Sequence, residues 1–148
     1  MTTVQSGPVL GISSATNTTN SSGGRQRSNR TGKSARLPYE STDSMFSRCF
    51  DTSVFTQPAP FGFGNVGRTL PDVRAPGINN LDLSLFKSFT IHERLKAQFR
   101  GEFFNAWNRT EFGVPGTSQG TAQFGVISGV SYESNPARRV QVALKLVF

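Results

Sequence analysis

The sequence predicts an all-β chain, an antiparallel β-meander of three to four long strands. Three observations carry that prediction. Three runs toward the C-terminal end alternate apolar and polar residues with period two, which is the strand signature. Each run is about ten to twelve residues long, close to the roughly nine to eleven that let a strand cross a bilayer. Aromatic residues gather at the ends of the runs, where amphipathic rings sit at a membrane–water interface.

Residues 1–78 read as a weak strand followed by a long irregular region. Val4, Val9, Leu10 and Ile12 make residues 2–13 mildly apolar, with a break at Gly7-Pro8. Residues 14–37 are rich in Ser, Thr, Asn, Gly and Arg and predict an exposed loop or a disordered stretch. Pro38, Pro58, Pro60, Pro71 and Pro76 punctuate residues 38–78, leaving room for one short helix near Ser44–Phe50.

Residues 79–148 hold the strands, expected at about 79–90, 94–105 and 138–148, with an outer loop at 106–137. In NNLDLSLFKSF, Leu81, Leu83 and Leu85 take one face and Asp82, Ser84 and Phe86 the other. TIHE then reads as a short turn. RLKAQFRGEFFNAW places Leu95, Ala97, Phe99, Gly101 and Phe103 opposite Lys96, Gln98, Arg100 and Glu102. Leu95, Phe99, Phe103 and Trp107 also fit a helical spacing of four. The unbroken polar alternation and Gly101 favour the strand. In RRVQVALKLVF, Val140, Val142, Leu144, Leu146 and Phe148 share one face.

The net charge of +7 is concentrated. Arg25, Arg27, Arg30, Lys33 and Arg36 lie between Gly23 and Leu37 with no acidic residue among them. This run would suit an anionic surface or a nucleic acid, but aromatic residues for base stacking are not interleaved with it. A solvated loop is the expectation, and no nucleic-acid partner is expected. The alternative is a small soluble basic β protein acting through residues 23–37. Cys49 is the single cysteine and His92 the single histidine, so neither a disulfide nor a cysteine-rich metal site can form within the chain. His92 reads as a solvated turn residue. No cofactor, metal site or catalytic role is expected. The N-terminus has no basic and apolar signal-peptide pattern, and no run approaches the roughly 18 apolar residues of a membrane helix.

Alternation alone also fits a soluble sandwich. Three features favour a membrane barrel. Phe103, Phe104, Trp107 and Phe112 cluster at one end of the strands, and Phe86, Phe89 and Phe148 at the other, like two girdles. Connections alternate between the short turn at His92 and the long stretch 106–137. A C-terminus on the periplasmic side puts the His92 turn there too and the long loop outside, as in outer-membrane barrels. Asp82, Lys96, Gln98, Arg100, Glu102 and Lys145 are then lumen-facing.

FDTSVFTQPAPFGFGNVGRTLPDVRAPGINNLDLSLFKSF, ERLKAQFRGEFFNAWNRTEFG and the ending VQVALKLVF resemble the C-terminal end of Oar-like TonB-dependent transporters. The likeness runs from about residue 10 to the end. It implies the C-terminal piece of a large transmembrane β-barrel that takes up a scarce ligand with energy delivered through TonB. It also implies a Gram-negative outer-membrane location. In that family the C-terminal strand is read by the barrel-assembly machinery, a signal that maps onto Val142, Leu144, Leu146 and Phe148. The implied partners are the rest of the barrel and its plug, outer-membrane lipid, the assembly machinery and TonB. Plug and TonB box are not recognisable in residues 1–148, so the chain is expected to be a fragment that does not transport alone.

Several short motifs are decoys. GFGNVG at 62–67 matches G-x-G-x-x-G, but prolines flank it and no strand–turn–helix context surrounds it. GKS at 32–34 lacks the P-loop glycine, since position 27 is arginine. Asn17, Asn20, Asn29 and Asn108 begin N-x-S/T triplets that mean little in a bacterial membrane protein. Asp82, Glu93 and Glu102 could be proposed as acid/base carboxylates, but lumen-facing charge is the ordinary barrel expectation.

Overall fold

The computed structural model describes residues 1–20, 22, 24–38, 41–92, 95–130 and 137–147. The chain divides into two compact units, each assembled from separated segments. The first comprises Met1–Gln5, Ile78–Glu111 and Ser131–Phe148; the second comprises Ser6–Gly77 and Phe112–Val130. These units cut across the boundary expected at residue 78.

The first unit is the predicted meander. Strand β1, Thr2–Gln5, pairs antiparallel with β5, Ile78–Leu81, with Thr2 opposite Leu81 and Gln5 opposite Ile78. Strand β6 spans Leu83–His92, β7 Leu95–Phe104 and β9 Arg139–Val147, in the order β6-β7-β9. The alternating reading of residues 94–105 therefore prevails over the helical one. Residues 93–94 and 148 lie outside the described residues, and with them Glu93 and the terminal Phe148. The expected turn at TIHE is shorter than its sequence suggests, because Thr90, Ile91 and His92 still belong to β6, with a register shift between Thr90 and His92.

The strand expected at 79–90 is broken at Asp82. The Asp82 backbone N–H donates to the Met1 carbonyl at 2.8 Å. Its carboxylate accepts from the Asn105 backbone N–H at 2.9 Å and the Asn80 side-chain amide at 3.3 Å. A short side-chain acceptor thus takes over the ladder at this point, and Ala106 resumes pairing by donating to the Leu81 carbonyl at 2.7 Å.

The second unit is built around a core to which residues 14–37, expected to be exposed, contribute only Ala35, and most of that stretch is exposed. Leu10, Ile12, Ala35, Cys49, Phe50, Val54, Phe55, Val66, Leu70, Val73, Ala75 and Ile127 form a buried cluster, with Met45, Phe46, Phe112 and Phe124 packed against it. Phe50, Phe55 and Phe124 meet edge to face at centroid distances of 5.3–5.9 Å. Such pairs contribute about 0.5–1.5 kcal/mol each beyond area burial. Regular structure is minimal. The two-residue strands β2 (Ser13–Ser14) and β8 (Ser118–Gln119) pair in parallel, and β3 (Asn29–Arg30) and β4 (Phe55–Thr56) pair antiparallel. The expected short helix is α1, Thr42–Ser47, starting two residues early because Ser41 and Ser44 form a reciprocal cap. A 3₁₀ turn at Thr52–Val54 follows, capped by Asp51.

Asp72 ties this unit together. One carboxylate oxygen accepts from the Arg30 guanidinium at 2.6 Å, the Ser34 hydroxyl at 2.9 Å and the Ala35 backbone N–H at 2.8 Å. Burial works to raise its carboxyl. The hydrogen bonds from Ala35, Ser34 and Arg30 together outweigh burial and hold it below the usual carboxylate range.

GFGNVG forms no nucleotide cradle; no helix follows it. Its glycines serve close approach rather than positive φ. A Cβ on Gly64 would lie 2.0 Å from the Arg27 carbonyl oxygen and 2.4 Å from that of Ser28. Around it, Val66 N–H donates to Ser28 O at 3.1 Å and the Gln26 amide to Gly62 O at 2.9 Å. This is a glycine required by neighbouring backbone.

Candidate functional site, a two-faced sheet

The register of β6, β7 and β9 decides which side chains share a face, because residues directly opposite one another across a ladder point the same way. Leu83, Leu85 and Phe89 line up with Phe103, Gly101 and Ala97, and these with Val140, Val142 and Leu146. In the middle of the sheet, Phe99 stands opposite Leu144. The face is apolar and open: Leu85 is 61% and Leu144 69% exposed. The rings of Phe99 and Phe103 flank Gly101 at ordinary contact distance, covering the one position without a side chain.

The reverse face carries Ser84, Phe86, Ser88 and Thr90 of β6, then Lys96, Gln98, Arg100, Glu102 and Phe104 of β7. Strand β9 adds Arg139, Gln141, Ala143, Lys145 and Val147. Arg100 pairs with Glu102 on the same strand, and its guanidinium lies 5.0 Å from the Phe86 ring centroid. The polar set Lys96, Gln98, Arg100, Glu102 and Lys145 is therefore brought onto one surface, predominantly basic. Asp82 is not one of that row, because it sits at the strand break with its carboxylate engaged by Asn105. Neither Asp82 nor Glu102 is arranged as an acid/base pair, and among the described residues no cluster of three or more His, Cys, Asp or Glu side chains could hold a metal.

Three aromatic residues expected in girdles lie elsewhere. Phe86 and Phe104 stand on the polar face, since alternation runs through them in register with Arg100 and Arg139. Phe112 belongs to the second unit, where its ring meets Phe46 edge-on at 4.5 Å. Phe89 and Phe103 stand on the apolar face near opposite ends of the sheet. Trp107 is half-exposed just beyond β7, with the Arg109 guanidinium 5.6 Å from its ring. Its turn is organised by Asn105, a residue sequence reading passes over. Asn105 is buried with φ +50, accepts from Arg109 N–H and donates to Arg109 O, both at 3.0 Å. Asparagine tolerates this left-handed conformation better than other non-glycine residues.

Lys87 is the exception on the apolar face. It stands opposite Phe99, away from the other charges of the strands. Its ammonium lies 5.6 Å from the Phe89 ring centroid, one step toward the turn end of the sheet. That is the posture of a lysine laying its stem along apolar surface and carrying its charge toward an interface.

Glu111, past the end of β7, is 4% exposed, and neither carboxylate oxygen has a hydrogen-bond partner. Burial pushes its carboxyl above the usual range, and the nearby Asn79 backbone N–H offsets only part of that.

The directions of the strands fix the ends of the sheet. β1 and β7 run toward the end where the chain leaves for residues 6–77 and 105–138, while β6 and β9 run toward the end of the short β6–β7 connection and of the C-terminus. Long connections thus leave from one end and the short one from the other. Over residues 1–141 the chain matches the model of a family described as an outer membrane beta barrel domain. It matches no curated protein and no solved structure.

Proposed function

The chain belongs to the outer-membrane β-barrel domain family, whose place is the outer membrane of a Gram-negative cell, and from this we propose that it forms one wall of a TonB-dependent, Oar-like transporter. In this reading β1, the broken strand β5–β6, β7 and β9 are four neighbouring barrel staves. The apolar face of Leu85, Val142 and Leu144 meets lipid, and the face of Lys96, Arg100 and Lys145 meets the lumen.

The observation that carries the reading is the pair of open edges. Among the described residues β1 pairs only with β5, and β9 only with β7. Hydrocarbon does not tolerate unpaired backbone groups. Closed bacterial barrels have at least about eight strands, and plugged transporters about 22. A three-stranded sheet of membrane-spanning strands, continued at the Asp82 break by the short β1–β5 pair, therefore needs further staves, which the rest of the transporter would supply together with plug and TonB contact. Within it, Val142, Leu144 and Leu146 present the surface that the assembly machinery reads. The chain contributes structure and no catalytic step, and does not transport by itself. The choice of transporter class rests on the resemblance of FGFGNVGRTLPDVRAPG and the strands after it. Sequencing the DNA upstream of the first codon tests the reading. An in-frame continuation encoding barrel strands and a plug is expected; a complete, unrelated gene ending there would overturn it.

A further inference from the structure

The second unit contains a cleft of about 320 Å³ lined by Asn17, Thr19, Arg25, Gln26, Arg27 and Phe63. That volume falls within the range of small-molecule sites. We propose that this cleft binds a phosphorylated sugar, with Arg25 and Arg27 holding the phosphate and Phe63 covering an apolar face of the sugar ring.

Arg25 and Arg27 are exposed on either side of the buried Gln26, and all three line the cleft. Gln26 is buried, with its carbonyl oxygen accepting from Thr18 N–H at 2.9 Å and its amide donating to Gly62 O at 2.9 Å. That amide locks the segment in place and leaves both guanidiniums on the cleft. Neither is ion-paired among the described residues. Asp72 is taken by Arg30 and Asp51 by Arg48. Two guanidiniums two residues apart, without a carboxylate, form a fork suited to a phosphate, which arginine binds by paired charge-assisted hydrogen bonds.

The opposite wall is the glycine stretch. Gly64 has no side chain because its backbone lies against the Arg27 and Ser28 carbonyls. That contact carries Phe63 up beside Arg27 and leaves its ring 83% exposed. Phe61 is 73% exposed at φ +62, a conformation uncommon for a bulky residue, fixed by its N–H donating to Thr18 O at 2.8 Å. Packing does not account for two exposed rings on one glycine-rich turn, since neither joins the core of the unit. An open ring beside cations suits a ligand with an apolar ring face and an anionic group, and Asn17 and Thr19, tied to each other by the Thr19 hydroxyl donating to Asn17 Oδ1 at 2.6 Å, form the edge of the same cleft. The match to G-x-G-x-x-G thus marks a ligand wall by another route than the dinucleotide one. The phosphorylated sugar has two sources, a free sugar phosphate or the phosphorylated headgroup of a membrane glycolipid.

The test uses the full chain folded in detergent micelles and titrated calorimetrically with glucose 1-phosphate, inorganic phosphate and glucose. Saturable binding of glucose 1-phosphate is expected, at least about fivefold tighter than inorganic phosphate, with glucose weaker still. The double variant Arg25→Gln/Arg27→Gln loses about tenfold or more for both phosphate ligands. Phe63→Ala brings glucose 1-phosphate down to the affinity of phosphate alone. All three side chains are on the surface, and unchanged protection of the Cys49 thiol verifies that the variants fold. No saturable binding, equal affinity for phosphate and sugar phosphate, or binding indifferent to the arginines would each overturn the proposal. A single-stranded oligonucleotide bound more tightly than glucose 1-phosphate through the same arginines would also overturn it. Vesicles with and without lipid A separate the sources. Arginine-dependent capture by lipid A vesicles, reversed by glucose 1-phosphate, assigns the headgroup; sugar-phosphate binding without lipid A preference assigns the free ligand.

Discussion

Asp72→Ala should open the second unit far more often than its partly exposed position suggests. Three donors converge on one oxygen of this carboxylate. The Arg30–Asp72 pair, with side chains 18% and 22% exposed, is worth no more than about 1 kcal/mol on the scale of surface ion pairs. The Ser34 hydroxyl adds about 0.5–1 kcal/mol. The decisive term is Ala35, whose residue is fully buried and whose N–H loses its partner, at about 1–3 kcal/mol. The total is about 3 kcal/mol, or roughly a hundredfold in the open population. Cys49 provides the assay: it is the only cysteine, is 1% exposed, and lies in the core of the same unit. Its labelling by a disulfide reagent active at acid pH reports opening, and the variant should label about a hundredfold faster at pH 7. The pH dependence has a definite sign. The folded carboxyl is held below its unfolded value, so its contribution is present above the unfolded pKa and lost as pH falls through the folded one. The ratio of variant to parent rates should therefore shrink toward one in that acid window. A ratio under about threefold at pH 7, or one that does not change with pH, would refute the reasoning.

Gly64→Ala should speed Cys49 labelling at least about thirtyfold, because its Cβ would overlap backbone that must move at a cost of about 2–3 kcal/mol. Gly67→Ala, whose nearest neighbour would be at 3.2 Å, should act much less. Glu111→Gln should raise the urea midpoint at pH 7, followed by the fluorescence of Trp107, the only tryptophan. Because the folded carboxyl is raised, its favourable contribution exists below the unfolded pKa and is lost as pH rises, so the gain should vanish in acid. Lys87→Leu should stabilise the sheet in lipid by only about 1 kcal/mol or less, because the stem carries the charge toward the interface; a gain of about 2 kcal/mol or more, read from the urea midpoint, would show that the charge is held at mid-depth.

The three long strands were legible because period two is a local property: every residue of Leu95–Phe104 reports its own side. The same locality explains what was missed. Asp82 alternates correctly with Leu81 and Leu83, yet breaks the strand through a bond to Asn105, a residue 23 positions away. Position near the strand ends groups Phe86 and Phe104 with the other aromatics, whereas register places them on the polar face beside Arg100 and Arg139, a face that alternation already gives for Phe86. The core of the second unit draws Leu10, Phe50, Leu70 and Ile127 from four distant stretches, each too short and too rich in glycine and proline to show a period. The arginine cleft was half visible: the basic run stood out, but the aromatic wall arrives from residue 63 by folding, not by sequence adjacency.

The central claim is that β9 crosses the outer membrane with alternate residues on lipid. Single cysteines at residues 140–146 in a Cys49→Ser background, each carrying an environment-sensitive fluorophore, test it in vesicles containing brominated lipid. Strong quenching at 140, 142, 144 and 146, and weak quenching at 141, 143 and 145, is the predicted pattern. Quenching that is uniform along the strand, absent throughout, or of the opposite phase would contradict it.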